Sequence, residues 1–265
     1  MIDSILASIP SDFPWKDRIH WFETIDSTNT RAKALAAEGA PHGTVLIADQ
    51  QTGGRGRMGR SFHSPGGKGI YLSVILRPQC HASQLMHLTC AAGVAMCDAV
   101  EAVCSIRPGI KWTNDLVFGK RKLGGILTEL SLDSSGNVNY AVVGIGINCM
   151  QSESDFPEDI RSIATSLQMV SDASIDRCQV IAAMLAALEK MSRDLFDQKT
   201  QIMDRYRLDC ITVGRDISVI TGDTVRHGTA ISVDDEGALS VRFSDGHTEA
   251  VTAGEVSVRG MYGYI

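Results

Sequence analysis

Between residues 50 and 60 the chain reads Gln50-Gln51-Thr52-Gly53-Gly54-Arg55-Gly56-Arg57-Met58-Gly59-Arg60. Neither a helix nor a strand holds such a segment well. Each glycine costs roughly 0.5–1 kcal/mol inside a regular element, and three guanidinium groups at this spacing repel one another. The segment has to be a loop, and it directly follows an apolar strand-like run, Thr44 to Ala48. Any fold of this chain must therefore set a glycine–arginine loop at the end of a strand. Glycine lets backbone N–H groups converge on an anion, and arginine offers a planar, permanently charged fork for phosphate or carboxylate. The chain as a whole carries a formal charge of −6, so the local positive excess is not compositional. The segment reads as an anion-binding loop that orders around its ligand, the alternative being a solvated basic turn.

The other constraints are broad. A chain of 265 residues holds one large domain, or a large and a small one. Its acidic balance argues against general nucleic-acid binding. No run is read as a membrane span. The start, Met1 to Pro10, contains Asp3 and no basic stretch, so no secretory signal is expected. Seven cysteines without a CxxC pair suggest neither a disulfide framework nor a zinc site. Cys90, Cys97 and Cys104 recur at heptad spacing as small buried residues of a helix. A cytoplasmic enzyme fits these features.

In chain order, His20 to Ile25 reads as a strand, and Asp26-Ser27-Thr28-Asn29 as a cap cluster before a helix over Thr30 to Glu38, stopped by Gly39. Capping alone would explain the cluster, although a helix N-terminus at a strand end also suits a polar ligand. Gly69 to Leu76 alternates as a strand ended by Pro78. Gln84 to Val103 reads as a long helix. Ile110 to Val117 reads as one strand, Lys122 to Leu130 as the next, and Val138 to Asn148 as a third. The glycine pairs Gly124-Gly125 and Gly144/Gly146 mark close approach of backbone or ligand. Gln151 to Glu158 reads as a loop and Ser174 to Leu195 as an amphipathic helix. From Thr212 short β-segments alternate with glycine turns, which predicts a small barrel. Domains are thus expected at 1–210 and 211–265.

Several chemistries are excluded. Gly66-Gly67-Lys68-Gly69 lacks the P-loop spacing, Gly144-Ile145-Gly146 lacks the rest of a dinucleotide fingerprint, and neither HExxH nor GxSxG occurs. The arginine loop together with Lys111, Lys122 and Asp115 suits a reaction between a carboxylate and a nucleoside triphosphate. Cations must draw the two anions together and stabilise the charge that builds at phosphorus. A carboxylate at a strand end can hold Mg²⁺ on the phosphates. Each of these residues also has a plain reading, the lysines as surface groups and Asp115 as a turn former.

Read together, Ser27-Thr28-Asn29, Gln51 with Gly54-Arg55-Gly56-Arg57-Met58-Gly59-Arg60, Lys111-Trp112-Thr113-Asn114-Asp115-Leu116, Lys122-Leu123-Gly124-Gly125-Ile126-Leu127 and Gly144-Ile145-Gly146-Ile147-Asn148 resemble the biotin–protein ligases, in that family's order. The resemblance implies an α+β fold: a mixed or antiparallel sheet packed with helices, like a class II synthetase core, followed by an SH3-like β-barrel. It implies that biotin and MgATP form biotinyl-5′-adenylate, which a lysine of a biotin carboxyl carrier domain then attacks. That carrier would belong to acetyl-CoA carboxylase or a related carboxylase. Carried over by motif, Ser27, Thr28, Asn29, Gln51, Arg55, Gly56, Arg57, Lys122 and Gly124 would bind biotin. Arg55, Arg57, Arg60, Phe62, Lys111, Asn114, Lys122 and Asn148 would bind ATP or the adenylate. Arg57, Lys122 and Asp115 would be catalytic, with Asp115 the candidate Mg²⁺ ligand and acceptor of the lysine's proton. Thr113 replaces a usual proline, and Phe62 stands where tryptophan is common. Too few residues precede the first core strand for a DNA-binding winged helix, so a ligase without repressor activity is expected. A homodimer paired through sheet edges is possible. The alternatives are a lipoate-type ligase or octanoyl transferase on the same fold, and a non-catalytic biotin or adenylate sensor.

Overall fold

The structure, a computed structural model, describes residues 1–172, 174–252, 255–258 and 261. Its centre is a seven-stranded sheet in the order β1-β2-β3-β7-β6-β5-β4, formed by β1 (Ile19–Ile25), β2 (Thr44–Gln51), β3 (Gly69–Leu76), β4 (Gly109–Lys111), β5 (Asp115–Phe118), β6 (Arg121–Leu132) and β7 (Val138–Asn148). Only β1 and β2 run parallel; every other neighbour is antiparallel. The sheet is mixed, as predicted.

Helices cover both faces. α2 (Thr28–Ala37) packs Ala32 and Ala36 on Leu46, Ile75 and Val142. The opposite face carries α3 (Leu88–Cys104) and α6 (Arg177–Asp194), joined by α1 (Ile2–Ser8) and α7 (Lys199–Asp209). All eight residues of β3 are buried, because a central strand covered on both sides has no solvent face to alternate with. Cys90, Cys97 and Cys104 are buried on α3, as their spacing predicts. By length and composition alone the stretch Ala82–Cys104 could cross a bilayer, but it is mostly buried within the fold as a core segment. Its N-terminal part is not regular α-helix: His81 and Gln84 form a capping box around a 3-10 turn over Ala82–Gln84, so α3 begins at Leu88.

The single strand expected over Ile110 to Val117 is instead a tight hairpin, β4 and β5, turned through Trp112, Thr113 and Asn114. Asn114 draws the turn back onto β6, where its carbonyl accepts from Ile126 N (2.9 Å) and its Nδ2 donates to Ile126 O (3.0 Å). The Trp112–Thr113 peptide is cis. Past Gly125, β6 outruns β5, and its remaining residues have no partner strand on that side among the described residues. The stretch expected as a loop, Gln151 to Glu158, holds one 3-10 turn over Glu153–Asp155, and two one-turn helices follow it, α4 (Glu158–Arg161) and α5 (Leu167–Val170).

β8 (Asp216–Thr221), β9 (Thr224–Val233), β10 (Leu239–Phe243), β11 (Thr248–Val251) and β12 (Glu255–Val258) form a separate five-stranded antiparallel sheet, ordered β11-β10-β9-β8-β12. It is tied to the β4–β5 hairpin. Trp112 N donates to Thr212 Oγ1 (2.9 Å) and the Trp112 indole N–H to Gly237 O (2.8 Å).

Candidate active site

Register explains where the cavity lies. One transverse row of the sheet runs Lys111, Asp115, Gly125, Gly146, Tyr71 through successive pairings. Residues directly opposite each other in antiparallel strands share a face, so this row is a cation, a carboxylate, two gaps and an aromatic. The next row on the same face places Leu127 opposite Gly144 and Gly144 opposite Ser73. Three glycines therefore cut a trench across the α2 face, and other side chains fill its rim. A Cβ on Gly146 would lie 2.6 Å from Phe62 Cε1, one on Gly144 would fall inside the Asn29 amide, and one on Gly125 would meet Asp115 and Lys122 at 3.4 Å. The trench is roofed by the glycine–arginine loop and encloses about 420 Å³.

At one end the walls are polar and buried. Ser27 caps α2 and accepts from Thr30 N (3.4 Å). Gln51 Oε1 accepts from Thr28 N (2.9 Å), and its Nε2 donates to Ser64 Oγ (3.0 Å), which fixes the amide's orientation. Ser73, wholly buried on β3, has its hydroxyl 2.6 Å from Asn29 Oδ1 and 2.8 Å from Thr28 Oγ1. A hydroxyl has one proton. If Ser73 donates to Asn29, Thr28 must donate to Ser73, and Gln51 is then served by the Thr28 backbone. Asn29 Nδ2 in turn donates to Leu127 O (3.1 Å) and Glu129 Oε2 (3.0 Å). Burial opposes ionisation of Glu129, but Lys33 and Asn29 bond its carboxylate and hold its pKa below the ordinary value. The outcome is a rigid pocket end of small hydroxyls and amides, suited to a neutral ring with N–H and C=O groups.

The other end is cationic. Lys122 Nζ lies 2.7 Å from Asp115 Oδ1, and Lys122's backbone is pinned between Ile163 O and Thr165 N. Arg57 Nη1 donates to Asn114 Oδ1 (2.9 Å), bringing the loop onto the hairpin. Lys111 is only 6% exposed. Burial pushes its ammonium below the usual lysine value, and the nearby Asp115 carboxylate offsets this only in part. Arg60 pairs with Glu255 on β12, so the C-terminal sheet contributes to the same cavity. Phe62 stands edge-on to Tyr71, centroids 6.3 Å apart, and hangs over the trench.

Ser27, Thr28, Asn29, Gln51, Arg55, Gly56, Arg57, Arg60, Phe62, Lys111, Asn114, Asp115, Lys122 and Asn148 all line this one cavity. Gly124 does not. It lies one residue out of phase, on the opposite face, where a Cβ would meet Ile147 Cα at 3.3 Å; Gly125 is the glycine at the cavity. Asn148 spends its amide on structure, donating to Thr165 O (3.0 Å), which holds the segment carrying Phe156, Ile160, Ile163 and Ala164 along the rim. Sequence reasoning missed Ser73, Trp112, this apolar rim and Glu255. Ser73 is a hydroxyl in an otherwise apolar strand, a signal that was available. Glu255 had none. No group of three or more His, Cys, Asp or Glu among the described residues could hold a metal ion. One carboxylate beside a cationic wall fits only a metal that arrives already bound to phosphates.

The Biotin/lipoate A/B protein ligase family matches residues 21–148, and the Biotin protein ligase C terminal domain matches residues 212–259. The chain is 37% identical over 227 residues to the Bifunctional ligase/repressor BirA of Bacillus subtilis, covering 85% of this chain and 70% of that protein. It is 35% identical over 236 residues to the Biotin--[acetyl-CoA-carboxylase] ligase of Mycobacterium tuberculosis, covering 87% and 85%. A solved structure, the biotin protein ligase from Aquifex aeolicus in complex with biotin and ATP, superposes with a TM-score of 0.76 at 29% identity, covering 91% of this chain and 98% of that one.

Proposed function

Since the chain belongs to the biotin–protein ligases, enzymes of the biotin/lipoate A/B protein ligase family, we propose that it converts biotin and MgATP to biotinyl-5′-adenylate and passes the biotinyl group to a carrier-domain lysine of acetyl-CoA carboxylase or a related carboxylase. The observation that carries this reading is the polarity of one trench: a neutral hydrogen-bonding end at Ser27, Thr28, Asn29 and Gln51, and a cationic end at Arg57, Lys111 and Lys122.

In the first step the biotin carboxylate attacks the α-phosphorus, and pyrophosphate leaves with its Mg²⁺. Lys122 lies between the two reacting anions, and Arg55 and Arg57 cover the forming anhydride. Lys111, Asn114 and Arg60 face the phosphates, and Phe62 covers the adenylate. Mg²⁺ would enter bound to ATP as part of the substrate, and Asp115 would be the carboxylate of the cavity that could hold it and so offset phosphate charge. In the second step the lysine amine attacks the acyl carbon, AMP leaves, and Asp115 accepts a proton. Gly56 shapes the loop against biotin, and Asn148 braces the rim beside the adenylate.

We divide the chain near residue 210 into a ligase core and a C-terminal module, and place the enzyme in the cytoplasm. Biotin-dependent pyrophosphate release from MgATP, followed by labelling of the carrier domain, tests the reading. Equal turnover with lipoate or octanoate would favour the lipoate-type alternative, and biotin binding without turnover would favour a sensor. Our reading further expects no operator binding by these 265 residues, testable by footprinting, and leaves a homodimer to sedimentation.

A further inference from the structure

The hydrogen bonds at the neutral end of the trench run in one direction, and the direction is set behind the wall. Glu129 accepts from Lys33 Nζ (2.8 Å) and from Asn29 Nδ2 (3.0 Å), and Arg55 Nη1 lies 3.6 Å away. Two cations keep it a carboxylate, which can only accept. Leu127 O, also an acceptor, lies 3.1 Å from the same nitrogen. Asn29 is thereby held with its amide nitrogen toward β6 and its Oδ1 toward Ser73. Gly144 leaves the room, since a Cβ there would fall inside the Asn29 amide. Oδ1 carries no proton, so the 2.6 Å contact with Ser73 Oγ uses the one the serine has. Ser73 Oγ can then only accept from Thr28 Oγ1, at 2.8 Å. Gln51 Oε1, 3.1 Å from the same hydroxyl, is an acceptor as well, because the Gln51 Nε2 donates to Ser64. Whichever of the two takes it, the Thr28 proton is spent inside the wall. Toward the cavity Thr28 Oγ1 shows lone pairs alone. Thr28 lines the cavity; Ser73 and Glu129 do not.

We infer that Glu129 and Ser73 are positioning residues that determine specificity: the line Glu129–Asn29–Ser73–Thr28 fixes Thr28 as an acceptor, so the pocket admits a ring presenting N–H there and rejects one presenting oxygen. This rests on the ligase reading above, in which the ring is the ureido ring of biotin. An oxygen facing Thr28 sets lone pair against lone pair in a buried site, which is worse than a missing bond. Without Ser73, the Thr28 proton has only Gln51 Oε1, which already accepts from Thr28 N (2.9 Å). The hydroxyl is then free to turn and donate to the ligand. Glu129→Gln acts one step further back. Lys33 draws the amide oxygen, so the new NH₂ faces Asn29 Nδ2, donor against donor, and favours an Asn29 amide turned over. Asn29 then donates to Ser73, Ser73 donates to Thr28, and the line is reversed.

Binding to the full chain is measured by calorimetry for biotin and for the two cyclic carbamates in which one or the other ureido N–H is replaced by oxygen. Wild type is expected to prefer biotin over one of the two carbamates by about 100-fold or more. Ser73→Ala is expected to cut that preference at least about tenfold, and Ser73→Cys, whose thiol is a weak donor, to fall between. Glu129→Gln is expected to cut it about three- to tenfold without touching the ligand. A wild-type chain that binds both carbamates as tightly as biotin overturns the relay. So do variants that weaken all three ligands by the same factor, because loss of packing alone moves them together. Should Ser73→Ala fail to fold, an unchanged preference in Glu129→Gln overturns it alone. A wild-type chain that binds neither biotin nor the carbamates instead refutes the ligase reading.

Discussion

Replacing Lys122 by methionine keeps the aliphatic stem and removes the charge. Two consequences follow from its 2.7 Å contact with Asp115 and its place on the cavity wall. For chemistry, a unit charge about 4 Å from another contributes about 4 kcal/mol at an effective dielectric near 20. The Lys122 side chain is 35% exposed, and solvent screening reduces this to about 2 kcal/mol. That corresponds to roughly 30-fold in rate, and to more if the closed loop excludes water in the transition state. For stability, Asp115 loses its partner while 20% exposed, which should cost about 1 kcal/mol. The assay is single-turnover formation of biotinyl-5′-adenylate with biotin and ATP saturating, beside a thermal melt. Adenylate formation should fall at least about 30-fold while the melt moves only a few degrees. Lys122→Arg, which retains charge but not geometry, should fall between. A methionine variant within threefold of wild type would show that the two anions are brought together without Lys122, and the charge argument would fail.

Gly146→Ala puts a Cβ 2.6 Å from the Phe62 ring. Pushing the ring aside should cost about 1–3 kcal/mol of stability or weaken adenylate retention, checked by melting and by the dissociation rate of the adenylate; no change in either would mean that the ring does not sit over the trench in solution. Burial lowers the Lys111 pKa, so its ammonium is lost at a lower pH than that of an ordinary lysine. The alkaline limb of kcat/KM for ATP should therefore set in early, and Lys111→Arg should move it to higher pH. The glycine–arginine loop should be cut by trypsin near Arg55–Arg60 in the free chain and protected by biotin plus ATP; equal resistance with and without ligand would contradict ordering around the ligand.

Much of this site is legible in the amino-acid sequence, because its chemistry is concentrated in short blocks of unusual residues. Glycine and arginine in one loop, and glycines within strands, are locally improbable and so informative. Register was not legible. Nothing local says that Gly125 lies opposite both Asp115 and Gly146, or that Gly124 faces away, because phase on a strand is set by partners far along the chain. The hairpin at Trp112–Asn114 was hidden because apolar residues flank the polar turn on both sides, as they would in one strand. α7 was missed because its sequence, with only Met203 and Tyr206 buried, carries a weak apolar stripe. Glu255 reaches the cavity by way of β12 pairing with β8, a tertiary fact with no local trace.

The walls of the trench are drawn from Ser27 at one extreme of the chain and from Glu255 and Val256 at the other. A polypeptide made from its N-terminus can assemble the central sheet and α2 while its last forty residues are still unsynthesised, yet it then lacks one wall of its own cavity. It also lacks the Gly237 carbonyl that holds the Trp112 indole. Substrate can therefore stabilise only finished chains through the full set of contacts.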